Sequence, residues 1–124
     1  MEDKINLTAA LATFDDTWSP RNIASLNDYD VRVVHIKGEF VWHSHDDTDE
    51  LFLIMAGNAE IELRDRTIEL GPGDVYVVPK GVEHKPSSVD GADIVLIEPS
   101  TTTNTGTPAE EIPDHIQTTS GKEL

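Results

Sequence analysis

Residues 40–55 of the chain have the sequence FVWHSHDDTDELFLIM. Two short runs in this stretch, Phe40–His45 and Glu50–Met55, are rich in aromatic and aliphatic residues, a composition typical of strands. The four polar residues Asp46–Asp49 separate the runs and are predicted to form a loop. The stretch therefore predicts two consecutive strands, and the same pattern of a short apolar run followed by a polar turn recurs through residues 31–98.

Turn residues punctuate the rest of this region at spacings of about eight to twelve residues. The further predicted strands are Val31–Ile36, Glu60–Leu63, Thr67–Leu70, Val75–Val78 and Ala92–Glu98. The predicted turns are Lys37–Gly38, Arg64–Arg66, Gly71–Asp74 and Pro79–Gly81. Parallel strands need a crossover helix, and no segment between the strands is long enough for one. The sequence therefore predicts an all-β sandwich or barrel.

Two flanking segments accompany this β region, and the 124 residues have the usual size of one domain. Residues 1–30 are predicted to form an N-terminal arm, with a short helix or turn followed by an extended segment. Residues 31–98 form the predicted β-barrel. Residues 99–124, rich in threonine and proline, are predicted to be an extended tail. Ile112 and Ile116 are expected to dock this tail on the barrel or on a neighbouring subunit.

Composition and charge narrow the classes of function. The formal charge of −15 at pH 7 opposes binding to nucleic acids and anionic membranes, so neither is expected as a partner. The sequence contains no cysteine, which excludes disulfides, zinc–thiolate sites and thiol nucleophiles. Neither a secretory signal nor a membrane-spanning stretch is visible, so the cytoplasm is the expected compartment.

Three of the five histidines are spaced so that they can meet around a carboxylate. His43 and His45 lie two residues apart on a predicted strand, so their side chains leave the same face. Glu50 begins the next strand, and an antiparallel neighbour brings its carboxylate beside the two imidazoles. His84 follows the Pro79–Gly81 turn and needs only to face the same point from another strand. These four side chains are the predicted metal ligands.

Three imidazoles and one carboxylate, without sulfur, suit a divalent transition metal such as iron, manganese, nickel, zinc or copper. Four protein ligands leave two positions of an octahedral ion for water or substrate. Asp49 is the alternative to Glu50 as the carboxylate ligand. Adjacent residues of a strand face opposite ways, but this alternation alone separates the two only weakly.

The spacing of these residues resembles the two motifs of the cupin family. The first motif, a glycine, His-x-His, a glutamate and a glycine, corresponds to Gly38, His43, His45, Glu50 and Gly57. The second corresponds to Gly73, Pro79, Gly81 and His84. The gap between Glu50 and Gly57 matches the family and favours Glu50 over Asp49. Two positions depart from the pattern: Gly38 is one residue closer to His43, and Ser88 replaces an asparagine.

The resemblance covers roughly residues 31–98 and implies a double-stranded β-helix, the jelly-roll barrel of cupins, with a metal inside the barrel near one mouth. It also implies a small stand-alone bacterial cupin, of the kind labelled by similarity to phosphomannose isomerase. The implied activity is that of a metal-dependent oxygenase, isomerase or lyase acting on a small organic molecule. A non-catalytic module that binds a small molecule is the alternative, so whether the protein is an enzyme stays open at this point.

Strand alternation supplies candidates for the pocket wall and for catalysis. The residues predicted to line the pocket are Val41, Phe52, Ile54 and Val78. Glu50 is the candidate catalytic base, and Tyr76 the candidate acid if its side chain faces inward. Residues 51, 53 and 55, which are Leu, Leu and Met, occupy the face opposite Glu50. That face is expected to form a homodimer interface unless the chain itself covers it.

Overall fold

The structure, a computed structural model, describes residues 3–124, so the first two residues of the predicted arm lie outside it. Within this range the chain forms one short helix, α1 (Leu7–Leu11), and one sheet of ten strands. The strands are β1 (Arg21–Leu26), β2 (Tyr29–Glu39), β3 (His43–Ser44), β4 (Glu50–Gly57), β5 (Ala59–Leu63), β6 (Thr67–Leu70), β7 (Val75–Val78), β8 (His84–Pro99), β9 (Thr107–Pro108) and β10 (Lys122–Glu123). The all-β prediction is confirmed. Among residues 3–124, no helix has the length and apolar character needed to cross a membrane.

The long strand β8 holds the sheet together, because it pairs with four other strands. Residues 84–88 pair with β3, β5 and the end of β2, and residues 92–97 pair with β2 and β4. Strand β4 also pairs with β7, and β5 with β6, in each case antiparallel. The two halves of β8 therefore pair with different sets of strands, and β8 brings these strands around a common interior.

Most strands occur where the sequence predicts them, and β6 and β7 have the predicted bounds. Strand β8 begins eight residues before the predicted Ala92, in a segment that contains Pro86 and Gly91. Between Phe40 and His45 only residues 43–44 are a strand. Lys37 and Gly38, predicted as a turn, lie inside β2, where Gly38 has a φ of +79° and the register with β8 shifts. A left-handed glycine at a bulge bends the strand without ending it.

The main core lies inside the sheet, where the buried positions alternate along the strands. Ile54, Ile61 and Ile94 lie at its centre with relative exposures of 0%, 0% and 1%. A second apolar cluster lies on the opposite face of the sheet, where Leu11 of α1 packs with Val33 and with other residues of that face. The chain's own helix therefore covers part of this outer face, which was predicted to be a homodimer interface unless the chain itself covers it.

Both flanking segments join the sheet. The extended segment predicted in the arm includes β1, which pairs with β2. The tail contributes β9, which pairs with β3, and β10, which pairs with β1. Ile116 is buried in the main core and Ile112 packs against it. The tail therefore docks on the barrel of its own chain, as one of the two predicted arrangements requires.

Candidate metal centre

The first two histidines of the site are presented by β3 and the residue after it. This strand consists of His43 and Ser44, and it lies between β9 and β8, where His43 is opposite His84. His43 and His45 are two residues apart in extended chain, so both side chains leave the same face. Both are buried, which places two imidazoles inside the protein.

The other two residues each begin a strand. Glu50 is the first residue of β4 and His84 is the first residue of β8. The N–H of Gly81, in the turn before His84, donates to the carbonyl oxygen of His45 at 2.9 Å. This hydrogen bond ties the turn of the second motif to the chain segment of the first, and all four side chains are buried.

The four side chains converge on one point. Each offers one ligand atom, and these atoms all lie within 4.8 Å of one another. Metal–nitrogen and metal–oxygen bonds are about 2.0–2.2 Å long, so a small contraction of the group would bring all four atoms within bonding distance of one ion. Oε1 of Glu50 lies 3.2 Å from Nε2 of His45 and 3.2 Å from Nε2 of His84.

Hydrogen bonds to the backbone select the tautomers of two ligands. Nδ1 of His43 donates to the carbonyl of Val41 at 2.8 Å, and Nδ1 of His84 donates to that of Val82 at 3.0 Å. A carbonyl oxygen can only accept, so the hydrogen sits on Nδ1 and the lone pair of Nε2 is free for a metal. Nε2 of His84 faces a carboxylate oxygen of Glu50 at 3.2 Å, so a proton or a cation is needed between these two atoms.

The electrostatics of the group favour the protonation states that a metal requires. Burial, together with the neighbouring His84, lowers the pKa of His43 to about 3, so its imidazole is neutral at neutral pH. Burial raises the pKa of Glu50, but the imidazoles of His45 and His84 together lower it by more than burial raises it. The net pKa therefore lies well below the usual range. Nε2 of His45 is buried and, although it lies 3.2 Å from Oε1 of Glu50, it makes no well-aligned hydrogen bond with any of the described residues. A neutral donor, an ionised carboxylate and an unsatisfied buried nitrogen together fit a divalent cation.

Asp49, the alternative carboxylate, lies outside this group. It is exposed, and its Oδ1 accepts the N–H of Lys80 at 2.8 Å. Asp49 therefore caps the turn that leads towards the second motif, whereas Glu50 faces the three histidines.

An apolar cavity opens beside His43 and Glu50. Its other lining residues are Trp18, Pro20, Val34, Ile36, Phe40, Phe52, Pro86, Ile94, Leu96 and Asn104. They come from the N-terminal arm, the inner faces of β2, β4 and β8, and the tail. Apart from Asn104 and the two candidate ligands, the lining residues are therefore apolar.

Of the residues predicted to line the pocket, Phe52 borders this cavity. Val41, Ile54 and Val78 are buried in the main core without bordering the cavity. Tyr76 lies opposite Phe52 on β7, is half-buried, and borders a separate depression. The predicted and observed linings differ because residues of β2 and of the tail contribute to the cavity, whereas most of the predicted lining residues were chosen from β4 and β7.

Two charged residues next to the site were not predicted. Arg32 and Glu98 have relative exposures of 0% and 1%, and Nη1 of Arg32 donates to Oε2 of Glu98 at 3.2 Å. Burial and the adjacent carboxylate of Glu50 raise the pKa of Glu98 well above its usual range, although Arg32 lowers it. The raised pKa of Glu98 and the lowered pKa of Glu50 make Glu98 the easier of the two carboxyl groups to protonate. Strand parity was the available signal for Arg32, since Arg32 and the inward-facing Val34 are two residues apart and therefore lie on the same face of β2.

Comparisons with known proteins agree with the resemblance drawn from the two motifs. Residues 31–98 match a family model described as a cupin domain. The chain is 34% identical over 84 residues to the uncharacterized protein YdbB of Bacillus subtilis (strain 168), which covers 67% of this chain and 74% of that protein.

Two solved structures have similar folds and related sequences. A cupin-2 domain containing protein from Shewanella frigidimarina NCIMB 400 has a TM-score of 0.76 and 49% identity, over 77% of this chain and 93% of that chain. Protein NMB1881 from Neisseria meningitidis has a TM-score of 0.73 and 31% identity, over 78% of this chain and 99% of that chain. The implied likeness to phosphomannose isomerase stays a prediction.

Proposed function

Because the chain belongs to the cupin family, we propose that its buried group of three histidines and one glutamate binds one divalent transition metal and acts on a small organic molecule. The observation that carries the proposal is that two members of this group, His43 and Glu50, line an apolar cavity. A binding site for a small molecule commonly combines an apolar wall with a few convergent polar groups.

The chain's own residues supply binding and proton transfer. When bound, a divalent metal supplies a Lewis acid that polarises a substrate oxygen. Glu50 borders the cavity, so its ionised carboxylate is placed to take a proton from a molecule held there. Phe52 and Leu96 line the same cavity, and their apolar side chains would exclude water from it. A base beside a polarised oxygen favours an isomerase or lyase reaction over an oxygenase reaction.

The cavity wall restricts the substrate class. Among the described residues that line it there is no lysine or arginine, which is unfavourable for a phosphorylated substrate. We therefore expect a compact molecule with an apolar carbon skeleton and an oxygen-bearing end, such as an enol or a hydroxy ketone.

Metal content of untagged protein tests the proposal. We expect about one equivalent of a divalent transition metal by plasma mass spectrometry in the wild type, and loss of that metal in a His43→Ala/His84→Ala variant. His115→Ala is the matched control, because His115 is exposed in the tail, and it should keep the full equivalent. Retention of metal by the double variant would refute the ligand set.

Turnover separates the two functions. The metal-loaded protein should convert at least one member of a panel of enol, diol and hydroxy-ketone substrates, and Glu50→Gln should lose that conversion. Saturable binding of a panel member without conversion would identify the alternative, a non-catalytic binding module.

We also propose a homodimer formed through the outer face of β4 and β7. Val75 and Val77 of β7 are 55% and 42% exposed, and they lie opposite the half-buried Leu53 and Leu51 of β4. Helix α1 covers another part of the outer face, so this apolar patch is the part that a second copy would bury.

A further inference from the structure

We propose that Gly106 in the tail positions the imidazole of His45 for metal binding, an inference that rests on the proposed metal site. Gly106 lies outside residues 31–98, the part of the chain that matches the cupin family model. The tail would then be part of the site's construction and not only a covering of the barrel.

The first observation is that the tail holds the strand that carries the ligands. Strand β3 is two residues long and pairs with β8 only at His43. On its other side β9 pairs with both residues, so that Thr107 lies opposite Ser44 and Pro108 opposite His43. Much of the pairing of this short strand therefore comes from the tail.

Further hydrogen bonds fix the tail on both sides of β3. The N–H of Ala109 donates to the carbonyl of Trp42 at 2.8 Å, and the N–H of Trp42 donates to Oε1 of Glu110 at 2.8 Å. Beyond His45, the hydroxyl of Thr107 donates to Oδ2 of Asp46 at 3.0 Å. The tail thus contacts the residues before and after the two histidines.

The close approach of Gly106 is the decisive observation. A Cβ added at Gly106 would overlap the carbonyl oxygen of Ser44 and would lie 2.7 Å from Nδ1 and 2.9 Å from Cε1 of His45. Real Cβ atoms do not come this close to other atoms, so either the tail or the imidazole would have to move. Only a residue without a side chain lets the backbone pack against this edge of the ring.

The contrast with the other histidines explains why this contact matters. Backbone carbonyls hold the Nδ1 atoms of His43 and His84 and thereby orient their rings. The Nδ1 edge of His45 instead packs against Gly106. Residues that orient a metal ligand commonly change metal affinity by about 10- to 100-fold when they are altered.

The matched pair Gly106→Ala and Gly73→Ala tests this role. Both glycines have positive φ angles, +47° and +88°, but an added Cβ at Gly73 would meet nothing within 4 Å. The control therefore imposes at least as much backbone strain without touching a ligand. We expect Gly106→Ala to bind cobalt(II) about tenfold more weakly or worse by titration calorimetry, with an altered d–d absorption spectrum. Gly73→Ala should keep the wild-type affinity and spectrum.

Glu110→Ala provides a second test that does not depend on the folding of Gly106→Ala. It removes the contact with the Trp42 N–H from an exposed position, and Glu111→Ala beside it is the control. Weaker cobalt(II) binding in Glu110→Ala, but not in Glu111→Ala, would support the role of the tail. Wild-type affinity and spectrum in Gly106→Ala, or in Glu110→Ala if the glycine variant does not fold, would overturn it. Absence of cobalt(II) binding by the wild type would instead overturn the metal site itself.

Discussion

The buried pair of Arg32 and Glu98 makes the sharpest prediction for single residues. Besides Glu98, the guanidinium donates to the carbonyls of Thr102 and Ser100 at 2.8 and 3.0 Å, so it also ties the start of the tail to β2. Glu98→Ala would remove the nearer of the two carboxyl groups beside the buried guanidinium, since Oδ2 of Asp30 lies 3.8 Å from Nη2 of Arg32. We expect a loss of about 3 kcal/mol or more in the free energy of unfolding, measured by urea denaturation with a chelator present.

Two further variants give this measurement its controls. Glu98→Gln keeps an oxygen that accepts from Arg32, so it should lose much less stability than Glu98→Ala. Glu69→Ala, at an exposed position of β6, should change the free energy of unfolding by no more than about 0.5 kcal/mol. Equal stability of Glu98→Ala and Glu69→Ala would show that the pair is energetically unimportant.

Sequence reasoning found the four candidate ligands but missed the charges next to them. His43, His45 and Glu50 could be predicted because strand alternation and motif gaps both place them at one point. Arg32 and Glu98 were missed because charged residues in strands are usually solvent-exposed. Strand parity places Arg32 on the inner face, but its partner lies 66 positions away in the chain, and no local pattern reveals that pairing.

At the scale of elements, His35 predicts a pH-dependent attachment of the N-terminal helix. Its Nδ1 donates to Oδ1 of Asp93 at 2.6 Å, and its Nε2 donates to the carbonyls of Leu11 and Phe14 at 2.8 and 2.9 Å. Both ring nitrogens face acceptors, an arrangement that only the protonated imidazole satisfies. Burial lowers the pKa of His35, but these hydrogen bonds together raise it more, so the net pKa is above its ordinary value of 6.5.

The sign of the pH effect follows from this raised pKa. The contribution of His35 to stability is complete below pH 6.5 and is lost as the pH rises through the higher folded-state pKa. We expect the difference in melting temperature between the wild type and His35→Gln to shrink from pH 5.5 to pH 8.5, while the difference for His115→Gln stays constant. A His35 difference that grows with pH would contradict the prediction.

Strand prediction succeeded where turn residues mark both ends of a strand. The Arg64–Arg66 tip and the Gly71–Asp74 turn bracket β6, and proline ends β7, so these bounds were predictable. The early part of β8 was missed because Pro86 and Gly91 are typical of turns. Both are accommodated here, since Pro86 pairs with Ile61 and Gly91 has a φ of +105°. Strands β9 and β10 have two residues each and depend on tertiary contacts, which the tail's composition does not indicate.

For the whole molecule, the exposed valines of β7 predict a dimer that a single charge disrupts. Val77→Glu would place a carboxylate in the centre of the proposed interface, so the variant should sediment as a monomer at concentrations where the wild type is a dimer. Val89→Glu is the control, because Val89 is 86% exposed but lies in β8, away from this patch. A wild type that sediments as a monomer, or a Val77→Glu variant that stays dimeric, would rule out this interface.

The position of β8 late in the chain sets the order in which the protein matures. During synthesis the ribosome releases His43, His45 and Glu50 well before His84, and β8 emerges after all four strands with which it pairs. The growing chain therefore carries an unfinished, solvent-exposed set of donors until β8 is complete. Full closure waits longer still, until the segment with Gly106 has followed. We therefore expect metal to be acquired only after the segment with Gly106 has been synthesised, from the ion pool that surrounds the chain at that stage.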